Sequence, residues 1–231
     1  MISKKFLHPL VIISALLLSS GCVNSSETTF PRSISLQFNV EDMGDMLTDS
    51  DGDSLIVREL KLHFSRFRVA TTNSDTLESN LTSGIVLRFS ESNFDFDEIV
   101  LQTNIGFDLN SFDLLQIFQR KLNRAVGPND GNFFNDSQTF SFFVRGSLNN
   151  VDFIYQSGPE FNKQFRFFPV TLTETNELLV LRLFTSVEEI FTGADGSFLQ
   201  PNIPDNRDII DANLESSLEA EASASSLIIE Q

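Results

Sequence analysis

Outside its first 21 residues the chain carries one histidine, His63, and its only cysteine is Cys22. Zinc and copper sites draw on several nitrogen or sulfur ligands, and a Ser-His or Cys-His nucleophile needs a base beside it. This supply excludes most zinc and copper sites and every Ser-His or Cys-His nucleophile arrangement. Carboxylates are the plentiful reactive group, with 32 Asp and Glu in the chain. Residues 41–53, EDMGDMLTDSDGD, hold six of them, and Asp49, Asp51 and Asp53 recur at the spacing by which hard oxygen ligands converge on calcium. Counted from Asp49, position six is Ser54 where an EF-hand loop has glycine, and position twelve is Leu60 where it has a bidentate glutamate. The three aspartates are therefore candidate calcium ligands, with an acidic turn between strands as the alternative. A second acidic group, Asp95, Asp97 and Glu98, alternates with Phe94 and Phe96 and reads as carboxylates displayed outward from a strand.

His63 alternates with Lys61 on the face opposite Leu60, Leu62 and Phe64, which predicts a solvent-facing position. Arg58, Lys61, Arg66 and Arg68 share that segment and predict a solvated or salt-bridged sheet face, with an anion site as the alternative. A carboxylate pair could hydrolyse a glycoside, but among so many acidic residues pairs arise by chance. No glycine-rich phosphate loop and no nucleophile elbow occurs. The expectation is a protein that is not an enzyme, with a small carboxylate-dependent hydrolase as an alternative.

Cys22 ends an N-terminal segment of familiar form. Lys4 and Lys5 precede an apolar run from Leu10 to Leu18, broken by Ser14 and too short to span a bilayer as a helix. The string LLSSGC, Leu17 to Cys22, resembles a bacterial lipobox, which implies cleavage before Cys22 and a diacylglyceryl group on its thiol. Residues 1–21 then read as a lipoprotein signal peptide and 22–30 as a lipidated tether. Several acyl chains, at about 0.8 kcal/mol per buried methylene, would anchor the chain permanently. Val23 in place of the aspartate associated with inner-membrane retention directs the expectation to the cell envelope, at the outer membrane. An acylated thiol is neither nucleophile nor metal ligand, and with no second cysteine the domain has no disulfide.

Loss of residues 1–21 removes Lys4 and Lys5, leaving 14 basic side chains against 32 acidic, a formal charge of −18. Nucleic-acid binding needs clustered cations, so no nucleic-acid partner is expected. The expected partners are a membrane, through the N-terminal lipid, and an envelope protein or glycan. Phenylalanine occurs 24 times, tryptophan never and tyrosine once, at Tyr155, so the aromatic load reads as core filling.

The elements that must position these residues are mainly strands. Alternation at Ile34, Leu36, Phe38 and Val40 marks one with a single buried face. Leu60, Leu62 and Phe64 mark another, whose period slips at Ser65 to resume at Phe67 and Val69, predicting a bulge. Further strands are predicted over 85–89, 99–107, 140–144, 151–155, 165–172 and 178–184. Asn149-Asn150 predicts a hairpin, because asparagine tolerates the positive φ of a two-residue turn. Helices are predicted over 112–122, after Ser186, which forms a capping box with Glu189, and over 208–218. The fold class is mainly β: an antiparallel β-sandwich of about eight strands with two or three short helices, spanning 31–219, followed by a flexible tail over 220–231.

The segment SDGDSLIVRELKLHFSRFRV, Ser50 to Val69, and the segment GNFFNDSQTFSFFVRGSLNNVDFIYQSG, Gly131 to Gly158, resemble the MbnP-like copper-binding family. The first matches its Asp-Gly turn and early strand, the second its aromatic stretch leading to a glycine and a hairpin. The resemblance implies a β-sandwich and a metal-handling lipoprotein, for copper or calcium. Positions that the family associates with copper correspond here to Phe133 or Phe134 and Gln156. The chain also resembles uncharacterised bacterial envelope lipoproteins in RGSLNN and in FLQPNIPDNRDIIDANLESSLEA, Phe198 to Ala220.

Overall fold

The computed structural model describes residues 32–70, 76–78, 84–90, 97–103, 111–122, 131–134, 138–173 and 178–225. The side chains of β4 and β6 are not among those described. The signal peptide, Cys22 and the tether lie outside these residues, as do Phe94, Asp95 and Phe96. In chain order the strands are β1 (Arg32–Glu41), β2 (Leu47–Thr48), β3 (Ser54–Ala70), β4 (Thr76–Glu78), β5 (Ile85–Ser90), β6 (Asp97–Thr103), β7 (Ser111–Gln119), β8 (Phe142–Leu148), β9 (Val151–Ser157), β10 (Phe161–Thr171), β11 (Leu178–Ser186) and β12 (Glu219–Ser225). Two α-helices, α1 (Val187–Phe191) and α2 (Pro204–Ser217), and one 3₁₀ turn, Gly131–Phe133, complete the described elements.

The strands form two sheets, a sandwich-like mainly β fold as the alternation predicts. One sheet has the order β12-β11-β1-β6, with β1 and β11 parallel and its other pairings antiparallel. The second is built on the 17-residue β3. Leu60 and Leu62 pair with β5 on one edge of β3 and with β8 on the other; Phe64 pairs with Ile85 of β5 and with Gln119 of β7. The strands β7 and β8 therefore lie end to end along the same edge, each extended by a partner, β10 and β9. The sheet forks where they meet.

Two bulges in β3 set which residues reach the core. Register slips between Val57 and Glu59 and again between Phe64 and Arg66, so the inward set changes from Leu55 and Val57 to Leu60, Leu62 and Phe64, then to Phe67 and Val69. The second slip is the one predicted at Ser65; the first was not predicted. Inward residues of both sheets, including Leu36, Leu115, Phe142, Tyr155 and Leu181, share one core with Ile190, Phe191, Ile210 and Leu214 of the helices. The β8–β9 hairpin turns on Asn149 and Asn150 at φ of 52° and 61°, the positive values expected of a tight two-residue turn.

Two predicted elements are corrected. Residues 111–119 are strand, not helix. Their apolar positions 112, 115 and 118 imitate helical spacing, but β7 lies between β3 and β10 with nearly every residue on both faces covered, so no period of two shows. Residues 219–225 are not a loose tail but β12, paired with β11 from Phe184 to Leu178. The strand alternates Ala220, Ala222 and Ala224 against the core with Glu219, Glu221 and Ser223 outward, a period that small side chains hide on a hydropathy scale. The final helix begins at Pro204 rather than 208, with proline in the first turn where its missing N–H costs nothing. Ser186 accepts the Glu189 N–H at 3.3 Å at the start of α1, as its capping spacing predicts.

Candidate functional site

At the fork, strand edges lose their neighbours, and side chains supply the missing hydrogen bonds. Ser65 Oγ donates to the Phe118 carbonyl at 3.1 Å, Gln119 Nε2 to the Ser141 carbonyl at 3.3 Å, and Ser141 Oγ to the Pro159 carbonyl at 2.8 Å. Arg120 Nη1 reaches the Gln119 and Phe161 carbonyls at 2.7 and 2.8 Å, tying the end of β7 to the start of β10 within one arm. His63 joins this network, with Nδ1 2.7 Å from the Arg120 carbonyl. A carbonyl only accepts, so Nδ1 carries the proton.

His63 is thus buried, at 3% exposure, which corrects the solvent-facing prediction. The parity was read correctly, since His63 does point away from the main core. That outer face is roofed by a second apolar cluster, Val86, Leu122, Phe133, Phe140 and Phe143, and the Phe133 ring lies 6.5 Å from the imidazole. Gly84 (φ 70°) passes so close that a Cβ there would stand 2.4 Å from His63 Nε2.

The basic stripe is a salt-bridged and stacked surface. Arg58 meets Asp152 at 3.4 Å, Lys61 and Arg145 flank Glu59 at 3.3 and 2.9 Å, and Arg66 stacks on Phe118 at 4.0 Å.

Asp49, Asp51 and Asp53 do not converge. Asp49 Oδ1 accepts the N–H groups of Asp51 and Asp53 at 3.0 and 2.8 Å, and Oδ2 accepts the Phe198 N–H at 2.7 Å. The Phe198 bond first, with those from the turn, holds the Asp49 carboxyl below its usual range. Asp51 Oδ2 takes the Ser197 hydroxyl at 2.8 Å. The loop so arranged ties the turn at residues 49–53 to residues 197–198. Among the described residues no three His, Cys, Asp or Glu side chains gather as a metal would need.

A cleft lined by charged groups of both signs opens beside the fork, where α2 crosses the end of β9. It has a volume of about 480 Å³ and is edged by Lys121, Thr139, Phe140 and Gly158 from the sheet and by Arg207, Asp208 and Asp211 from α2. Its inner wall is a polar cluster. Tyr155 OH donates to Asp211 Oδ1 at 2.8 Å and lies 3.1 Å from the Arg207 carbonyl; Ser157 Oγ donates to the same carboxylate oxygen at 2.6 Å. The Arg207 guanidinium stacks 5.0 Å from the Tyr155 ring and donates to the Gln156 carbonyl. Burial raises the Asp211 carboxyl above its ordinary value against these donors, and burial followed by the Asp211 charge raises the Tyr155 hydroxyl beyond any physiological pH. At the other end of α2, Lys163 donates to the Glu215 and Ser216 carbonyls, and desolvation lowers its pKa. The helix is pinned at both ends.

None of Lys121, Tyr155, Ser157, Arg207, Asp208 and Asp211 was a predicted site residue. One signal was present: a lone tyrosine among 24 phenylalanines implies a hydroxyl with a specific partner. Gln156 Nε2 donates to the Asn132 carbonyl at 2.7 Å, and Phe133, the next residue, is buried under the roof over His63.

No protein-family model and no curated protein matches the chain. Among solved structures, MbnP from Methylosinus trichosporium matches with a TM-score of 0.43 and 12% identity, over 84% of this chain and 98% of that one.

Proposed function

We propose that the chain is a lipid-anchored protein of the bacterial cell envelope, at the outer membrane, and that its folded part is a non-enzymatic binding module using the cleft between α2 and the sheet fork. The observation that carries the reading is the string Leu17 to Cys22 at the end of a short apolar run behind Lys4 and Lys5. The placement of His63 supports binding over catalysis: the one histidine of the mature chain is held against the Arg120 carbonyl inside an apolar roof. The cleft supports a ligand site, because it presents charged groups of both signs on a frame fixed by the Tyr155–Asp211–Ser157 cluster. An envelope protein or glycan end is the partner class such a module serves.

Fractionation of cells producing the full chain tests this. Wild type is expected in the membrane fraction as a species shortened by the signal peptide, and Cys22→Ser uncleaved and without lipid. Normal cleavage and membrane retention of Cys22→Ser would reject the anchor.

A further inference from the structure

We infer that the cleft beside α2 binds a short unblocked peptide, a zwitterion whose carboxylate meets Lys121 and whose ammonium meets Asp208. This names a ligand class for the cleft and rests on the binding reading given above.

Lys121 is held on the sheet side by a missing side chain. A Cβ on Gly158 would stand 2.4 Å from Lys121 Cε and 2.9 Å from Cγ, so the lysine stem lies across the glycine as across a saddle. Its ammonium is exposed and makes no hydrogen bond or ion pair among the described residues. Asp208, on the facing wall, is exposed and equally unpaired among them, one helical turn before Asp211. The two are of opposite sign and edge one cleft, yet they do not pair with each other.

The other two charges of the cleft are already committed. Arg207 is spent on the Tyr155 ring and the Gln156 carbonyl, and Asp211 on the hydroxyls of Tyr155 and Ser157. What remains for a ligand is one cation and one anion on fixed walls. A purely anionic ligand gains Lys121 and meets Asp208 and Asp211; a purely cationic one gains the acids and meets Lys121 and Arg207. A zwitterion satisfies both walls at once, and complementary placement of this kind selects a partner more than it adds raw affinity. A neutral overall ligand also escapes the repulsion that a domain of formal charge −18 exerts on anions. The volume, about 480 Å³, suits two or three residues rather than one, within the range usual for ligand clefts.

The test is titration of the full mature chain in detergent micelles, followed by amide chemical shifts, with alanyl-alanine, its N-acetyl form, its C-amide form and the doubly blocked form. Alanyl-alanine is expected to shift the amides of Lys121, Gly158 and Asp208, and blocking either end should weaken binding about tenfold or more. In Lys121→Met the C-amide form should bind as well as the free acid, and in Asp208→Asn the N-acetyl form as well as the free amine. Both side chains are exposed, and an unchanged melting temperature shows that the variants fold. No shift at these amides, or equal shifts from the doubly blocked peptide, would overturn the inference. In the second case the cleft still binds and the module reading survives; the first removes its site but leaves the Cys22 anchor to its own test.

Discussion

Tyr155→Phe isolates the polar latch beneath α2. The ring is fully buried, packed edge-on to Phe142 at 5.7 Å and to Phe191 at 6.4 Å, and phenylalanine keeps those contacts. Only the hydroxyl is lost, and with it the 2.8 Å bond to Asp211. A hydrogen bond to a charged group is worth about 1.5–3 kcal/mol, and one to a neutral group about 0.5–1.5 kcal/mol. With Asp211 ionised, the variant should lose about 1.5–3 kcal/mol, a fall in melting temperature of roughly 3–10 °C for a domain of this size. In acid, with Asp211 protonated, the loss should shrink by about half. The same carboxyl sets a pH slope. Its native pKa lies above the ordinary value, so its contribution to stability is complete in acid, below the unfolded pKa of about 4, and is lost as pH rises through the native pKa. Asp211→Asn should flatten that fall. The assay is urea unfolding of wild type and both variants from pH 4 to pH 7. A loss below about 0.5 kcal/mol at pH 7, the level of an ordinary surface change, would refute the latch.

Gly84→Ala places a Cβ against His63 Nε2 and 2.7 Å from the Phe64 carbonyl at a φ of 70°, and it should cost more than the roughly 1–2 kcal/mol of a left-handed backbone alone; thermal melts and the His63 imidazole resonances report it. Asp49→Ala should lower the melting temperature by freeing the Phe198 N–H and the two turn N–H groups, equally with and without added calcium. A calcium-dependent melting temperature in wild type, with the metal found by elemental analysis, would restore Asp49, Asp51 and Asp53 as ligands.

How much of this was legible in the sequence depended on whether one face of an element meets water. The first strand, with its clean alternation of Ile34, Leu36, Phe38 and Val40, was readable because its other face carries Ser35, Gln37 and Asn39. The strand β7 was not, because coverage on both faces erases the period that distinguishes it from a helix. The Asn149-Asn150 turn was readable because it is local chemistry. The roof over His63 was not, because Phe133, Phe140 and Phe143 come from 70 or more positions along the chain, and parity within β3 cannot report what covers a face. The cleft was least legible of all. Lys121, Ser157 and Asp211 are brought together only by the fork in the sheet and the return of α2, and neither has a local signature.

The anchor is the central claim, and the mass of the mature N-terminus tests it most directly. Protein purified from membranes and digested should yield a first peptide beginning at Cys22, heavier than its sequence by a diacylglyceryl group, with the mass absent from Cys22→Ser. A first peptide that begins elsewhere, or one with an unmodified Cys22 thiol, would contradict the account.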